Sequence, residues 1–296
     1  MTARILGVLV ACVVSAPPLS QAQPGAGASF DSNGVKIAYV DKGRGEPVVL
    51  IHGFTGSYAR HWEAPGVIDA LEKAGYRAIA IDCRGHGQSG KPHEASQYGM
   101  EMVRDVVRLL DHLHIERAHI VGYSMGGAIA TQLLVKHADR LLTVTLLGAG
   151  WSGEDLSVTN AQMLALADSF ARRDASYLIR GVTSGGANGP TDAEVAALSA
   201  ALFARNDADA LAAVARGYLP LVDVSRDSLR SVQVPVLALV GELDSLNMEE
   251  VKRMQGVVPH LQVIELPGAT HASSVRPSAE PLVAFLTKHK VAGREK

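Results

Sequence analysis

The chain has 296 residues, of which 47% are hydrophobic, and this is enough apolar material for one large buried core. The formal net charge of −2 leaves no basic surface of the kind that binds nucleic acid, so a nucleic-acid partner is not expected. There is no internal repeat, no heptad pattern and no glycine-rich phosphate-binding signature, and the histidines lack the spacing of metal ligands. We therefore predict neither a cofactor nor a metal site.

The N-terminal segment has the pattern of a targeting sequence. Arg4 precedes an apolar stretch over residues 5–14, which is too short to span a bilayer. Ser20 and Ala22 then supply the small side chains that a signal peptidase requires. This pattern predicts a cleaved signal peptide over residues 1–22, no stable membrane span, and export to a periplasm or to the medium.

Cysteine usage and the residues after the cleavage site extend this prediction. Cys12 and the three residues before it resemble a lipobox, so a lipoprotein attached through Cys12 is an alternative. Cleavage would leave Cys83 as the only cysteine, which rules out an intrachain disulfide and makes a small buried filler its expected role. Glycine and alanine dominate residues 23–29, and we expect a flexible leader there.

Apolar runs alternate with helical periodicity along the rest of the chain. Strands are predicted at residues 35–40, 47–51, 77–81, 118–121, 142–147, 234–240 and 261–266. Helices are predicted at residues 62–74, 100–114 and 126–134. This alternation predicts an α/β fold with a mostly parallel, doubly wound sheet and helices on both faces.

The most informative motif, Gly-Tyr-Ser-Met-Gly, occupies residues 122–126 between a predicted strand and a predicted helix. A serine in such a strand–turn–helix context is typical of a nucleophile elbow. The turn is so tight that the flanking positions must be small, and Gly122 and Gly126 meet that demand. We therefore expect the Ser124 hydroxyl to stand at the tip of the turn, near the helix N-terminus, as a nucleophile.

A serine hydroxyl needs a base, and the base needs a partner that fixes its tautomer. Asp244 and His271 each lie on a loop just past the carboxyl end of a predicted strand, and ligand sites form at that edge of an open α/β sheet. These residues supply the acid and the base in the chain order serine, acid, histidine. Glu154 and Asp155, after the strand that ends at Leu147, are an alternative source of the acid.

The predicted strand at residues 47–51 leads directly into His52-Gly53-Phe54. A tetrahedral intermediate requires amide donors aimed at its oxyanion. The backbone N–H groups of Phe54 and of Met125, the residue after Ser124, are the natural pair. We expect His52 to brace its loop through hydrogen bonds rather than to transfer protons.

Five motifs, in order, resemble those of the α/β-hydrolase family: HGF at 52–54, DCRGHGQS at 82–89, GYSMG at 122–126, GELD at 241–244 and GATH at 268–271. The resemblance is to esterase-like members with a serine nucleophile. It implies a Ser124–His271–Asp244 triad, with Phe54 and Met125 forming the oxyanion hole. It also implies that residues 82–89 form a structural loop. Phe54 is bulky where some esterases carry glycines, so very bulky alcohol esters are not expected as substrates.

The strand–helix alternation stops between residues 151 and 228, where alanine-rich helical segments cover residues 161–179, 192–204 and 208–217. This stretch resembles the helical cap that many such hydrolases insert over the site, which leaves residues 23–150 and 229–296 as the core. The candidates for substrate binding are Trp151, Met163, Phe170 and Leu178. The alternative role of each is to pack the cap onto the core.

The resulting hypothesis is a serine hydrolase that cleaves small to medium carboxylic esters through an acyl-enzyme, with a small-molecule ester-like substrate as its partner. Serine-dependent carbon–carbon bond hydrolases, lactonases and perhydrolases are alternatives with the same triad. Haloalkane dehalogenases and epoxide hydrolases resemble this family but carry aspartate at the position of Ser124. A non-catalytic ligand-binding relative is an alternative from another class. The sequence makes no prediction of the oligomeric state.

Overall fold

The structure is a computed structural model that describes residues 27–183 and 189–291. The predicted signal peptide, its cleavage site and the alternative lipid attachment at Cys12 lie outside the described residues. Within those two ranges, no helix combines the length and the apolar character needed to cross a membrane.

One sheet contains eight strands in the order β1-β2-β4-β3-β5-β6-β7-β8. The strands are β1 (Ala28–Ser32), β2 (Val35–Gly43), β3 (Glu46–Ile51), β4 (Tyr76–Ile81), β5 (Ala118–Tyr123), β6 (Leu141–Leu147), β7 (Val236–Gly241) and β8 (Gln262–Leu266). Strand β2 pairs antiparallel with β1 and with β4, and every other neighbouring pair is parallel. The predicted mostly parallel sheet is confirmed, and each predicted strand is present.

The prediction of a flexible leader over residues 23–29 is wrong at the C-terminal end of that range, because β1 already begins at Ala28. The strand is short, and only Phe30 and Ser32 are buried, so it lacks a continuous apolar run. Asn33 and Gly34 connect it to β2, with φ angles of 56° and 81°. An Asn-Gly pair with both φ angles positive is the preferred two-residue hairpin turn, and this was the available sequence signal.

Helices flank the sheet and fill the segment between β6 and β7. They are α1 (Val67–Lys73), α2 (Met100–His112), α3 (Met125–Lys136), α4 (Ser157–Ala171), α5 (Ser176–Thr183), α6 (Asp192–Phe203), α7 (Ala208–Arg216), α8 (Leu219–Val222), α9 (Arg226–Arg230), α10 (Ser245–Gln255) and α11 (Ala279–Lys288). A π-helical segment covers Ala59–Glu63, and 3₁₀ turns cover Ala95–Gln97, Ala138–Arg140 and Arg276–Ser278.

Two predicted helices are each divided in the structure. The helix predicted over residues 62–74 separates into the π-helical segment and α1, because Gly66 between them has a φ of 86°. The helix predicted over residues 161–179 separates into α4 and α5 around Arg173, whose φ is 57°. A left-handed residue interrupts a right-handed helix, so the chain changes direction at both points.

Helices cover both faces of the sheet. Strands β5 and β7 are buried along their whole length. Helices α2 and α3 pack on one face through residues such as Val106 and Leu133. Helices α1 and α11 pack on the other face through residues such as Leu71 and Phe285. The doubly wound arrangement is therefore confirmed.

Helices α4 to α7, which lie in the segment predicted as the cap, share an apolar cluster that includes Leu166, Phe170, Ile179 and Leu211. Phe54, after β3, is partly buried and packs against both this cap cluster and the core cluster. The cap therefore contacts the core beside the carboxyl ends of the parallel strands, where the predicted site residues are found.

Candidate active site

Ser124 stands in the tight turn between β5 and α3. Its φ of 53° and ψ of −114° place a non-glycine residue in a strained conformation. A Cβ atom on Gly122 would lie 2.1 Å from the carbonyl oxygen of Gly126, and one on Gly126 would lie 2.1 Å from the carbonyl oxygen of Ile51. The backbone therefore requires glycine at both flanking positions, as predicted. The strained turn holds the serine hydroxyl beyond the end of β5.

Ser124, His271 and Asp244 form a continuous chain of hydrogen bonds. The Oγ atom of Ser124 lies 3.0 Å from Nε2 of His271, and Nδ1 of His271 lies 2.8 Å from Oδ2 of Asp244. An ionised carboxylate can only accept, so Nδ1 carries the imidazole hydrogen. Nε2 is then left as the acceptor for the serine hydroxyl, which is the arrangement a general base requires.

The carboxyl group of Asp244 is buried just after β7. Burial raises its pKa, but hydrogen bonds from His271 and from Asn247, together with the nearby imidazole, outweigh this effect and hold the pKa below its ordinary value. Asp244 is therefore an anion at neutral pH, despite its removal from water.

Tyr123 and Ser274 fix the position of His271. The Tyr123 ring is stacked on the imidazole, with ring centroids 5.1 Å apart and an angle of 28° between the planes. The Tyr123 hydroxyl and the Ser274 hydroxyl both donate to the backbone carbonyl of His271, at 2.9 Å each. Burial, with the charge of Asp244, raises the pKa of Tyr123, so this donor stays protonated. The base is thus held from its ring face and from its backbone.

The backbone N–H groups of Phe54 and Met125 are the predicted oxyanion donors. Phe54 lies three residues past the end of β3, and Met125 is the first residue of α3. Neither N–H donates to another group among the residues that the structure describes. The N-terminus of α3 also carries partial positive charge, so an oxygen with developing negative charge is favoured beside Met125.

Buried His52 and half-buried His61 hold the loop that carries Phe54. Gly53 donates its N–H to Nδ1 of His61 at 3.2 Å, and its carbonyl accepts from Nδ1 of His52 at 2.8 Å. The other nitrogen of His52 accepts from the N–H of Cys83 at 2.9 Å. Burial lowers the pKa of both imidazoles, that of His61 to about 3. The predicted bracing role of His52 is confirmed, and both rings are neutral.

Residues 82–89 form a scaffold next to this loop. Asp82 accepts from the backbone N–H groups of Tyr58 and Gln88, at 2.8 Å each. Arg84 makes a buried bidentate ion pair with Asp105, at 2.6 and 2.7 Å. These contacts agree with the structural role that the resemblance implied. No group of three His, Cys, Asp or Glu side chains in the described ranges could hold a metal ion.

Residues 46–275 match the model of the family described as the alpha/beta hydrolase fold. The chain belongs to this family. The match extends from the start of β3 to just beyond His271 and thus includes every motif on which the resemblance was based.

Comparison with curated proteins places this α/β hydrolase among functionally diverse relatives. It is 42% identical, over 118 residues, to the dihydrolipoyllysine-residue acetyltransferase component of the acetoin cleaving system of Cupriavidus necator, a match that covers 40% of this chain and 30% of that protein. It is 37% identical over 120 residues to the 2-hydroxy-6-oxo-6-phenylhexa-2,4-dienoate hydrolase of Comamonas testosteroni, covering 40% and 41% respectively. The matched segments span less than half of each relative.

A solved structure agrees with the fold over most of the chain. The bromoperoxidase from Bacillus anthracis superposes with a TM-score of 0.70 at 24% identity, covering 88% of this hydrolase and 99% of that chain. At this identity the likeness concerns the fold alone.

The alternative acids lie outside the chain of hydrogen bonds in this hydrolase. Asp155 is exposed, and one of its carboxylate oxygens accepts from the N–H of Ser157 at 3.0 Å. Glu154 is also exposed, and its carboxylate faces Arg226 at 3.9 Å. His271 contacts Asp244 instead, as the first prediction required.

Three of the predicted substrate-binding residues belong to the cap cluster. Phe170 is fully buried, and its ring centroid lies 5.6 Å from that of Phe54. Met163 and Leu178 are partly buried and pack against the same cluster. Phe170 is therefore the member of this set with a direct contact to the oxyanion loop.

Trp151 lies where the chain enters the cap and contacts residues where the chain leaves it. The indole is buried and donates from Nε1 to the carbonyl oxygen of Val224 at 2.9 Å. The guanidinium of Arg226 lies 5.3 Å from the ring centroid. Nε1, the one polar atom of the side chain, is thus hydrogen-bonded within the protein. These contacts favour the alternative role given for Trp151, which is packing of the cap onto the core.

The sequence analysis assigned no role to Asn247, Tyr123 or His61. Asn247 lies one helical turn after Asp244, and this spacing was an available signal for contact between the two side chains. Tyr123 directly precedes the nucleophile. The contact between His61 and Gly53 depends on the π-helical segment Ala59–Glu63, for which the sequence offers no local signal.

Proposed function

We propose that this hydrolase cleaves carboxylic esters of small to medium size through an acyl-enzyme intermediate. The observation that carries the proposal is the continuous chain of hydrogen bonds from Ser124 through His271 to Asp244. Such a chain lets a neutral imidazole accept the serine proton while a buried carboxylate stabilises the imidazolium that forms.

Acylation begins when the Oγ atom of Ser124 forms a bond to the ester carbonyl carbon and its proton passes to Nε2 of His271. The carbonyl electron pair moves onto oxygen, and the N–H groups of Phe54 and Met125 donate to this oxyanion. When the intermediate collapses, the bond to the alcohol oxygen breaks. His271 then returns its proton to the leaving alcohol.

Deacylation repeats these steps with water as the nucleophile. His271 removes a proton from water as the water oxygen bonds to the acyl carbon, and the same two amides hold the oxyanion. Breaking the acyl–Oγ bond releases the carboxylic acid and returns the proton to Ser124. Asp244 remains ionised throughout, in keeping with its depressed pKa.

A serine nucleophile also restricts which substrates the triad can hydrolyse. If Ser124 attacked an epoxide, the product would be an alkyl ether on Oγ. An ether has no carbonyl carbon for water to attack, so the triad could not hydrolyse it. A carboxylic ester, a thioester or an activated ketone leaves an acyl group on Ser124 that water removes. The nucleophile thus favours acyl transfer over epoxide opening.

Carbon–carbon bond hydrolysis is the second candidate function. It is favoured by the similarity to the dienoate hydrolase of Comamonas testosteroni, at 37% identity over 120 residues. The same triad would attack a ketone carbonyl, and the leaving group would be a stabilised carbanion that takes up a proton. Ester hydrolysis is preferred because it requires only an alkoxide leaving group and the residues already assigned.

Export is a separate proposal, which rests on the sequence of the first 22 residues. Expression of the full chain in a Gram-negative host should give a periplasmic or secreted protein whose first residue is Gln23. N-terminal sequencing and cell fractionation provide the test. A mature protein that begins with a lipidated Cys12 would support the alternative, and an uncleaved cytoplasmic protein would contradict export.

The test of ester hydrolysis uses p-nitrophenyl esters of increasing acyl length with wild type, Ser124→Ala and Ser231→Ala. Loss of a triad nucleophile should reduce kcat by roughly four to six orders of magnitude. Ser231 is an exposed serine whose Oγ donates to the carbonyl of Ser228, and its variant should retain wild-type activity. Equal activity of wild type and Ser124→Ala would contradict the proposal, and activity on β-diketones without ester hydrolysis would favour the second candidate.

A further inference from the structure

Asn247 is in contact with both partners of the proposed nucleophile. It lies on α10, one turn after Asp244, and its Nδ2 atom lies 2.8 Å from Oδ1 of Asp244. The same nitrogen lies 3.1 Å from Nδ1 of His271. His271 contacts the other carboxylate oxygen, Oδ2, at 2.8 Å. The two oxygens of Asp244 are thus divided between an imidazole and a carboxamide.

The orientation of the Asn247 amide follows from these contacts. If its Oδ1 atom faced Asp244, two acceptors would be at hydrogen-bond distance, so the NH₂ group must face the carboxylate. Nδ1 of His271 already donates its hydrogen to Asp244. The 3.1 Å contact between Asn247 and His271 therefore brings together two donors, with the positive end of the amide dipole toward the ring.

We propose that Asn247 is a positioning residue for the hydrolytic reaction, which orients Asp244 toward His271. Its hydrogen bond to Oδ1 fixes the plane of the carboxylate, so that Oδ2 stays aligned with Nδ1. The same bond draws negative charge away from Oδ2, and the amide dipole repels an imidazolium. Asn247 thereby holds the Asp244–His271 hydrogen bond in the geometry that leaves Nε2 free to accept the Ser124 proton.

The other titratable groups around the pair do not take this role. Burial raises the pKa of Glu250, one turn further along α10, and the charge of Asp244 adds to the effect. Burial lowers the pKa of His61 to about 3, so that ring is uncharged. The Tyr123 hydroxyl donates to the backbone of His271 and not to Asp244. Asn247 is thus the neutral donor that contacts the carboxylate itself.

The inference rests on the proposed function, so the experiment measures both the activity of the wild type and the effect of changing Asn247. The rate of Ser124 modification by a fluorophosphonate and the hydrolysis of a p-nitrophenyl ester are measured from pH 5 to pH 9 for wild type, Asn247→Ala, Asn247→Leu and Glu249→Gln. Glu249 lies on the same helix, is exposed and pairs with Lys252, so its variant is the matched control.

The Asn247→Ala variant should lose about tenfold in kcat with little change in KM, because one hydrogen bond to a charged group is removed from the triad. The acid limb of its pH–rate profile should move to higher pH, since the full charge of Asp244 then acts on the imidazole. The Asn247→Leu variant should move the limb to a similar extent, because it keeps the side-chain volume but also removes the donor to Asp244. The Glu249→Gln variant should match wild type.

Acid limbs at the wild-type pH in both Asn247 variants would overturn the inference, whatever happens to kcat. If Asn247→Ala fails to fold, the near-isosteric Asn247→Leu decides the question alone. A wild-type protein that neither reacts with the fluorophosphonate nor hydrolyses any ester would instead overturn the proposed function. The two failures are therefore distinguishable.

Discussion

The nucleophile elbow and the cap above it are built from different kinds of contact. At the elbow, backbone atoms approach so closely that a Cβ atom on Gly122 or Gly126 would lie 2.1 Å from a carbonyl oxygen. In the cap, alanine-rich helices pack around a few large apolar side chains such as Leu166 and Phe170. The elbow thus admits no side chain at Gly122 or Gly126, whereas single cap residues should be replaceable. Under the proposed function, we expect the chemistry to depend on the core and substrate selection to depend on the cap.

Titratable groups show the same contrast. The core below the oxyanion loop contains the buried imidazoles of His52 and His86 and the half-buried imidazole of His61. Residues 151–228 contain no histidine at all. Changes in pH between 4 and 7 should therefore act mainly on the core, and they should reach the cap through the pair of His93 with Asp207. Three predictions test this division, in order of decreasing effect.

The largest effect is expected from Asp244→Asn, which should lower kcat by about four orders of magnitude while leaving the fold intact. An asparagine can present a hydrogen to Nδ1 of His271, which would reverse the tautomer and remove the acceptor for the Ser124 hydroxyl. Asp155→Asn is the control, because Asp155 is the alternative acid and is exposed. Steady-state kinetics on one ester checks both, and a large loss in Asp155→Asn alone would reverse the assignment of the acid.

A smaller effect, on stability and selectivity, is expected from Phe170→Ala. Phe170 is fully buried, so its truncation should lower the free energy of unfolding by about 3 to 5 kcal/mol. The preferred acyl length should also shift, while the shortest ester is still hydrolysed. Leu164→Ala on the same helix is the control, since Leu164 is 47% exposed. Urea unfolding and an acyl-length series provide the measurements, and an unchanged length profile would contradict the assigned role of the cap.

The smallest effect concerns the dependence of stability on pH. Burial lowers the pKa of His86 to about 3, well below the value expected in an unfolded chain. The unfolded state therefore binds more protons as pH falls below about 6.5, and each such histidine should cost about 1.4 kcal/mol of stability per pH unit down to about pH 3. The free energy of unfolding of His86→Gln should therefore fall by about 1.4 kcal/mol less per pH unit than that of wild type.

His93→Gln is the comparison for His86→Gln, because His93 is exposed and its hydrogen bond to Asp207 raises its pKa, so that its removal should change the slope in the opposite direction. Urea unfolding at pH 7 and at pH 5 gives the two slopes. Equal slopes for wild type and His86→Gln would show that the buried imidazole does not couple folding to protonation.

Much of this arrangement was predictable from the sequence, because the constraints are local. Glycines on both sides of Ser124 are required by the turn itself, and each parallel strand is a continuous apolar run. Since the carboxyl ends of those strands share one edge, the loops that carry Asp244 and His271 had to lie near Ser124. The geometry of 2.8 and 3.0 Å between the three side chains agrees with that expectation.

The remaining features depend on contacts between distant parts of the chain. The indole of Trp151 donates to Val224, 73 residues away, and no local pattern indicates this partner. The left-handed residues Gly66 and Arg173 divide helices whose apolar spacing is otherwise continuous. Asn247 shows the intermediate case, because its spacing from Asp244 was visible but its contact with His271 depends on how β8 is placed beside β7.

The most direct test of the central claim is intact-protein mass spectrometry after treatment of the mature protein with a fluorophosphonate, followed by peptide mapping. The account predicts a single adduct on Ser124, slow formation of that adduct in His271→Ala, and none in Ser124→Ala. An adduct on another residue, or modification of Ser124 at the same rate without His271, would contradict the assignment of Ser124, His271 and Asp244 as one catalytic unit.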